Sequence, residues 1–252
     1  MADPVSSAPG GTADPDEIAR FTAMADAWWD PTGKFRPLHQ LNPVRVQFIR
    51  DNVCRHFGLD ADAERPFAGL DFLDVGCGGG LLSEPMARLG AKMTSIDAGA
   101  KNVEIAKIHA AKSGLDIDYR NVLPEDLAAE GKRFDVVLNM EVIEHVADPQ
   151  AFMAASAMVM KPDGAMVLST INRNLKSLLM AKIGAEYVLR WLPAGTHDWK
   201  KFFKPSELAR LARAQGLEFT DIRGMVYNPL AGTWSLSATD LDVNYLAFAT
   251  RG

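Results

Sequence analysis

Short apolar runs alternate with amphipathic stretches along most of this chain. The runs are rich in Val, Ile, Leu and Phe and indicate buried strands, while the stretches between them repeat apolar residues at helical spacing. This order predicts an α/β fold with a mostly parallel, twisted sheet and helices on both faces. The predicted strands are 71–75, 92–96, 117–120, 134–139, 165–169, 219–227 and 243–249. We expect the last two to pair antiparallel at the sheet edge.

Turn-forming and capping residues set the predicted limits of the helices. Asn42 can cap the second helix, and Pro43 suits its first position.

Residues 1–16 are rich in Ala, Pro, Gly, Ser and Asp, which predicts a disordered tail before a single domain at 17–252. The long connection before the last helix is interpreted as an insertion at about 172–204. The predicted helices are 16–29, 42–57, 81–89, 100–113, 149–160 and 205–214.

A glycine-rich turn lies between the first predicted strand and the helix that follows it. The turn reads Asp74-Val75-Gly76-Cys77-Gly78-Gly79-Gly80, and Asp97 ends the next strand. Glycines let the backbone turn sharply beside a ligand, and an acid at the later position can accept hydrogen bonds from both ribose hydroxyls of a nucleoside. Leu81 stands where a dinucleotide site has its third glycine, and the Lys-Ser/Thr ending of a P-loop is absent. The turn instead resembles motif I of the methyltransferases that use S-adenosylmethionine (SAM).

Two acidic residues and a histidine follow the strong strand 134–139. On a helix, Glu141, Glu144 and His145 would share one face, because residues three and four positions apart are neighbours there. One interpretation makes His145 a general base that a carboxylate such as Glu144 orients, since imidazole titrates near neutral pH. A second makes the three residues ligands of Mg²⁺ or another divalent cation, although Mg²⁺ prefers oxygen donors. A capped helix start with solvated acids is the third.

The composition and net charge of the chain exclude some classes of binding partner and of protein. The chain has 252 residues, of which 48% are hydrophobic and 23% charged, and its formal net charge of −5 disfavours a nucleic-acid-binding domain. No apolar run approaches the roughly 18 residues of a membrane-spanning helix, and the first residues do not resemble a signal peptide. The two cysteines, Cys54 and Cys77, make neither a disulfide framework nor a zinc cluster. We therefore expect a cytoplasmic protein.

The positive charge is concentrated in one segment. Residues 173–204 hold seven basic and two acidic residues, a net charge of +5, which leaves −10 on the rest of the chain. An apolar stripe that begins at Leu175 and Leu178 runs between the basic residues, a pattern typical of docking on an anionic membrane surface. The alternative is a lid packed on the active site. His197 and Asp198 form another candidate pair here, for which loop stabilisation is favoured over catalysis.

Longer strings along the chain resemble one methyltransferase family. They are Arg20-Phe21, Trp28-Trp29-Asp30, Pro37-Leu38-His39, Asn42-Pro43 with Arg45, Leu73 to Gly80, Asn139 to Val146, Ser169 to Asn174, Gly184 to Tyr187, Gly195 to Asp198 and Asp242 to Tyr245. Together they make the chain similar to the ubiquinone biosynthesis O-methyltransferases over nearly everything from Glu17 onward. The resemblance implies a Rossmann-like class I methyltransferase fold with an antiparallel edge strand.

The resemblance also implies a cofactor site. The four positions it assigns to SAM are Arg45, Gly76, Asp97 and Met140. The guanidinium of Arg45 suits the methionine carboxylate, and the thioether of Met140 suits the adenine ring. Asp74 would lie near the methionine end of SAM, and Gly78 belongs to the same turn.

The implied activity is O-methylation of phenolic hydroxyls on polyprenylated intermediates, namely 2-polyprenyl-6-hydroxyphenol and 3-demethylubiquinol. Such a substrate lies in the bilayer, so we expect the protein to associate peripherally with the inner face of the cytoplasmic membrane, in a biosynthetic complex or alone. Related eukaryotic members are associated with a divalent metal, which keeps the Mg²⁺ interpretation open. The alternatives are a methyltransferase for another small phenol and a non-catalytic SAM-binding module at the membrane.

Overall fold

One mixed sheet forms the centre of the computed structural model, which describes residues 11–178 and 199–252. The strands are β1 Asp71–Val75, β2 Lys92–Ile96, β3 Asp118–Arg120, β4 Phe134–Met140, β5 Met160–Ile171, β6 Leu217–Asn228, β7 Thr233–Ser237 and β8 Asn244–Arg251. Their order across the sheet is β3-β2-β1-β4-β5-β8-β6-β7. The first five strands are parallel, and β8 runs antiparallel between β5 and β6. The predicted Rossmann-like α/β fold is thus confirmed.

Helices follow most of the parallel strands, as the alternating pattern predicts. They are α1 Pro15–Ala23, α2 Arg36–Phe57, α3 Ser83–Arg88, α4 Ala100–Lys112, α5 Pro124–Ala129, α6 Pro149–Met158, α7 Leu175–Ser177 and α8 Pro205–Arg213, with single 3₁₀ turns at Ala25–Ala27, Ile143–His145 and Trp199–Lys201. In the part of the chain that the structure describes, no helix combines the length and the apolar character needed to cross a bilayer.

Both faces of the parallel strands are buried. Successive side chains point to opposite faces of a strand, so Phe72 packs with Phe48 and its neighbours on α2, while Leu73 packs with Phe152 of α6 on the other side. β1 and β2 have the predicted limits, although buried polar residues such as Asp74 and Ser95 stand among their apolar ones. These strands therefore hold the loops at their carboxyl ends on a rigid support.

The predicted start of the second helix is wrong. α2 begins at Arg36 rather than at residue 42, and Pro37 takes the first-turn role that we assigned to Pro43. Asn42 does not cap the helix, because its side-chain amide donates to the carbonyl oxygen of Leu81 at 2.6 Å. A proline inside a helix costs about 3 kcal/mol. Tertiary contacts of the first turns, including the buried Leu41, offset that cost.

Other predicted limits also change. The helix predicted at 16–29 ends at Ala23, and the helix α5 and the strand β7 were not predicted, because five or six residues show too little periodicity. β6 and β8 pair antiparallel as expected, but β7 rather than either of them forms the sheet edge.

The predicted disordered tail extends too far along the chain. The backbone amide of Thr12 donates to Glu125 at 2.8 Å, Ala13 forms an isolated bridge with Val146, and Asp14 caps α1. Residues 11–16 are therefore an ordered part of the molecule. Of the predicted insertion, residues 179–198 lie outside the described ranges, and with them the candidate pair His197 and Asp198.

Candidate active site

A cavity of about 240 Å³ opens at the carboxyl ends of β1, β2 and β4. The chain runs outward from β1 to β2 and β3 and then returns to place β4 on the other side of β1, so this is the switch point where α/β sheets bind ligands. Helix α1 and the segment before it form the opposite wall. The predicted site residues that line the cavity are Arg45, Gly76, Gly78, Asp97, Met140, Glu141, Glu144 and His145.

The glycine turn after β1 has a conformation and a clearance that only glycine satisfies. Gly76 and Gly78 have φ angles of 68° and 53°. A Cβ atom on Gly76 would lie 2.6 Å from Val142, and one on Gly78 would lie 2.4 Å from the ring of Trp28. The turn therefore lets Val142 and Trp28 pack directly on its backbone, and both glycines lie at the cavity wall.

Asp97 directly follows β2, and its carboxylate accepts hydrogen bonds from three directions. The backbone amides of Gly78 and Gly99 donate to it at 2.9 and 2.7 Å, and the side-chain amide of Asn102 donates at 3.0 Å. Burial raises the pKa of Asp97, although these hydrogen bonds oppose the rise. The carboxylate is thus fixed in direction before any ligand arrives.

Asp74 is not among the residues that line the cavity, unlike the other predicted positions. Its carboxyl accepts a hydrogen bond of 2.6 Å from Ser83 at the start of α3. Burial, together with the negative charge of Asp97, raises the pKa of Asp74 to about 7. In this geometry Asp74 ties β1 to α3.

Arg45 projects from α2 into the cavity as a buried cation. Its side chain is 6% exposed, and its Nη2 atom lies 3.2 Å from Oε1 of Glu141. Among the described residues, neither Nε nor Nη2 has a hydrogen-bond acceptor of proper geometry. Unsatisfied donors on a buried guanidinium are costly, and a ligand carboxylate at this wall would satisfy them.

Glu141 does not lie on a helix, so the shared helix face considered for Glu141, Glu144 and His145 does not form. It has a φ angle of 57°, which helices do not allow, and the helical turn is limited to Ile143–His145. Glu141 instead accepts a hydrogen bond of 2.8 Å from the hydroxyl of Ser169. A residue other than glycine with a positive φ angle has a strained backbone, and such residues cluster at functional sites.

His145 pairs with a residue that the sequence did not indicate. Its Nδ1 atom lies 3.2 Å from Oε2 of Glu17 on α1, and its ring packs edge-on against Phe21 at 5.1 Å between ring centres. Burial alone would raise the pKa of Glu17, but the hydrogen bond with His145 and the nearby positive charges of His145, Arg20 and Lys201 lower it to about 2. A charged carboxylate therefore faces this imidazole.

Glu144 is buried beside Glu141. Desolvation and the negative charge of Glu141 raise the pKa of Glu144 well above its usual range. Within residues 11–178 and 199–252, no group of three His, Cys, Asp or Glu side chains is arranged to hold a metal ion. The predicted metal set of Glu141, Glu144 and His145 is not assembled, because Glu141 turns toward Arg45 while the Nδ1 atom of His145 faces Glu17.

A match to a family model identifies the class of protein to which the chain belongs. The family model described as a methyltransferase domain matches residues 45–222. It begins at the cavity arginine and includes the glycine turn, Asp97 and the β4 strand end. With the sheet order above, this match makes the chain a Rossmann-like methyltransferase.

Curated relatives give the particular family. The chain is 57% identical over 240 residues to the ubiquinone biosynthesis O-methyltransferase of Cereibacter sphaeroides (strain ATCC 17025 / ATH 2.4.3), covering 95% of this chain and 97% of that one. It is 57% identical over 251 residues to the protein of the same name from Parvibaculum lavamentivorans, covering 100% and 99% of the two chains. The chain belongs to the family of ubiquinone biosynthesis O-methyltransferases. It is a SAM-dependent O-methyltransferase.

Solved structures support the fold. Magnesium protoporphyrin IX methyltransferase from Synechocystis PCC 6803 with bound SAH aligns with a TM-score of 0.60 at 20% identity, covering 94% of each chain. A SAM-dependent methyltransferase from Thermotoga maritima, described as a possible histamine N-methyltransferase, aligns with a TM-score of 0.59 at 16% identity, covering 94% of this chain and 99% of that one.

Proposed function

We propose that this enzyme methylates phenolic hydroxyls of polyprenylated intermediates, namely 2-polyprenyl-6-hydroxyphenol and 3-demethylubiquinol. The observation that carries the proposal is one cavity in which a buried arginine, a fixed carboxylate and a histidine–glutamate pair face the same volume. The remaining wall is largely apolar and includes Phe21, Phe35 and Leu38, which suits an aromatic acceptor. The names of the curated relatives support the substrate class.

The cofactor assignments follow from the donors and acceptors at each wall. When bound, SAM supplies a methyl group on a positively charged sulfur. Arg45 offers its unsatisfied donors to the methionine carboxylate, and Asp97 accepts from the ribose. Gly76 and Gly78 line the cavity on the cofactor side, and Met140 at the end of β4 packs against the adenine. These contacts align the methyl group with the acceptor oxygen.

His145 is the proposed general base. A free phenol has a pKa of about 10, so removal of its proton must accompany attack on the methyl group. The Glu17 carboxylate fixes the proton of His145 on Nδ1, which leaves the Nε2 lone pair to accept the phenolic proton. Glu17 then stabilises the imidazolium that forms, as the acid of a catalytic triad does. Glu144, buried and with its pKa raised, completes the polar wall next to the base.

The test is transfer of labelled methyl from SAM to a short-chain demethylubiquinol analogue. We expect turnover that persists in the presence of a metal chelator. Loss of turnover in chelator, with recovery on added Mg²⁺, would contradict a metal-independent base and favour Glu141, Glu144 and His145 as metal ligands. Turnover with an unrelated catechol alone would favour another phenol as substrate. SAH binding without turnover on any phenol would favour the non-catalytic module.

We also propose that residues 172–204 are an insertion that docks the enzyme on the anionic inner face of the cytoplasmic membrane. Three described basic residues of the segment are already paired within the protein: Arg173 with Glu207, Lys176 with Asp240 and Asp242, and Lys201 with Asp14 and Glu17. The docking proposal is therefore tested at Lys182 and Arg190, two basic residues of the segment that lie outside the described ranges.

Charge reversal tests the docking proposal. The double variant Lys182→Glu, Arg190→Glu is expected to reduce sedimentation with anionic liposomes at least tenfold, because each basic residue near such a surface contributes about 1 kcal/mol. The matched control Lys107→Glu, Lys132→Glu makes the same change of net charge at exposed positions elsewhere and should leave sedimentation unchanged. Equal loss in both double variants would show a nonspecific charge effect, and no loss in either would refute docking.

A further inference from the structure

A chain of two hydrogen bonds connects the cavity wall to the carboxylate of Asp97. The indole Nε1 of Trp28 donates to Oδ1 of Asn102 at 3.0 Å, and Nδ2 of Asn102 donates to Oδ1 of Asp97 at 3.0 Å. Trp28 and Asn102 are both buried, at 8% and 2% exposure. Trp28 lies between α1 and α2, and Asn102 lies in the first turn of α4. Residues far apart in the chain thus meet at a single carboxylate.

The indole group determines which way the Asn102 amide points. An indole N–H can only donate, so it binds the carbonyl end of the amide and turns the NH₂ end toward Asp97. The reversed amide would place two donors against each other on one side and two acceptors on the other. Neither contact forms a hydrogen bond, and burial makes both costly.

The Trp28 ring is itself held in place. It stacks on Phe35 with the ring centres 3.8 Å apart and the planes 4° from parallel. Nε2 of His39 contacts the backbone carbonyl of Trp28 at 2.9 Å, and the ring fills the space where a Cβ atom on Gly78 would stand. The indole therefore has little freedom to turn away from Asn102.

The hydrogen bonds on Asp97 leave a defined acceptor position. Oδ1 accepts from both Asn102 and the amide of Gly99, which uses its two acceptor sites. Oδ2 accepts from the amide of Gly78. Among the contacts in the described ranges, the remaining acceptor site is on Oδ2, at the cavity wall. The amide of Asn102 thus keeps Oδ1 engaged and directs Oδ2 to a ligand.

We propose that Trp28 and Asn102 are positioning residues for the cofactor ribose, and that they act through the carboxylate of Asp97. The inference rests on the proposed assignment of Asp97 to the ribose, one hydroxyl of which would donate to the remaining acceptor site on Oδ2. It gives a specific role to Trp28, one of the adjacent tryptophans Trp28 and Trp29, of which only Trp28 reaches Asn102. Trp29 donates instead to the backbone carbonyl of Gly79 at 2.9 Å.

A double-mutant cycle with SAH as the calorimetric probe tests the inference. Trp28→Phe keeps an aromatic side chain but removes the N–H and part of the indole volume. We expect it to weaken SAH binding about tenfold, mainly through the loss of one buried hydrogen bond. In an Asp97→Ala background, the same change should alter affinity by less than about twofold, because the carboxylate through which it acts is gone. KM for SAM should rise by a similar factor, while kcat at saturating SAM stays within about twofold of the parent value.

Trp29→Phe is the matched control, since it also removes one indole N–H next to the glycine turn. We expect its effect on SAH binding to be the same with and without Asp97. An equal loss from Trp28→Phe in both backgrounds would overturn the inference and assign Trp28 a packing role only. If Asp97→Ala itself left SAH affinity unchanged, the ribose assignment would fail instead. Asn102→Leu provides a second cycle, with the same coupling expected, if Trp28→Phe lowers the melting temperature strongly.

Discussion

Replacing His145 with alanine is expected to lower kcat for methyl transfer by about 10²–10⁴-fold, the usual contribution of a positioned general base. His145 lies on the cavity wall with Nδ1 beside the charged Glu17, so its loss removes the proton acceptor without removing a proposed cofactor contact. SAH affinity should therefore stay within about twofold of the parent value, which separates a chemical effect from a binding effect. Initial rates with labelled SAM and calorimetry with SAH give the two quantities.

The Glu17→Gln variant refines this expectation. Glutamine keeps the shape of the side chain but cannot stabilise an imidazolium, so kcat should fall by about tenfold, less than for His145→Ala. Glu104→Gln on the exposed face of α4 is the control, because it makes the same chemical change and removes one negative charge away from the cavity wall. An unchanged kcat in His145→Ala would refute the base assignment, whatever Glu17→Gln does.

Replacing Arg45 with glutamine is expected to weaken SAH binding by about 10²-fold, because two charge-assisted hydrogen bonds to a carboxylate are lost. The nucleoside 5′-methylthioadenosine has the same adenosine but lacks the amino-acid group, so its affinity should change by less than about twofold. Calorimetry with the two ligands measures both effects on one variant. The difference between them isolates the carboxylate contact.

The neighbourhood of Arg45 determines the controls for that experiment. Arg45→Gln leaves Glu141 without its ion pair, so the melting temperature must be compared with that of the parent protein. Arg50→Gln is the matched control, since it makes the same change on the same helix and outside the cavity wall. An equal loss of affinity for both ligands would show that Arg45 supports the fold of the site and does not bind the carboxylate.

The sequence predicted those parts of the site whose structure depends on residues close together in the chain. β1 and β2 have the predicted limits, and the glycine turn needs positive φ angles, which Gly76 and Gly78 supply. Eight of the nine predicted site residues consequently line one cavity. Asp74 is the exception. Its buried carboxyl accepts a hydrogen bond from Ser83, nine positions along the chain, and does not face the cavity.

The rest of the site depends on contacts that no local pattern contains. Glu17 and His145 are 128 positions apart, and Trp28 and Asn102 are 74 apart, so only the folded chain brings them together. The start of α2 was mispredicted because tertiary packing carries the helix past Pro43. Glu141 adopts a positive φ angle that no glycine or asparagine signals, so the helix face that it would have shared with Glu144 and His145 does not form.

The place of β8 in the sheet has a consequence for synthesis. β8 leaves the ribosome after β6 and β7, yet it lies between β5 and β6 and pairs with both. Until β8 has emerged, the β6–β7 hairpin has no strand that joins it to the parallel half, and β5 presents an unpaired edge. Such edges are where nascent chains associate wrongly. A stop codon before Asn244 would therefore remove an interior strand and leave two half-sheets.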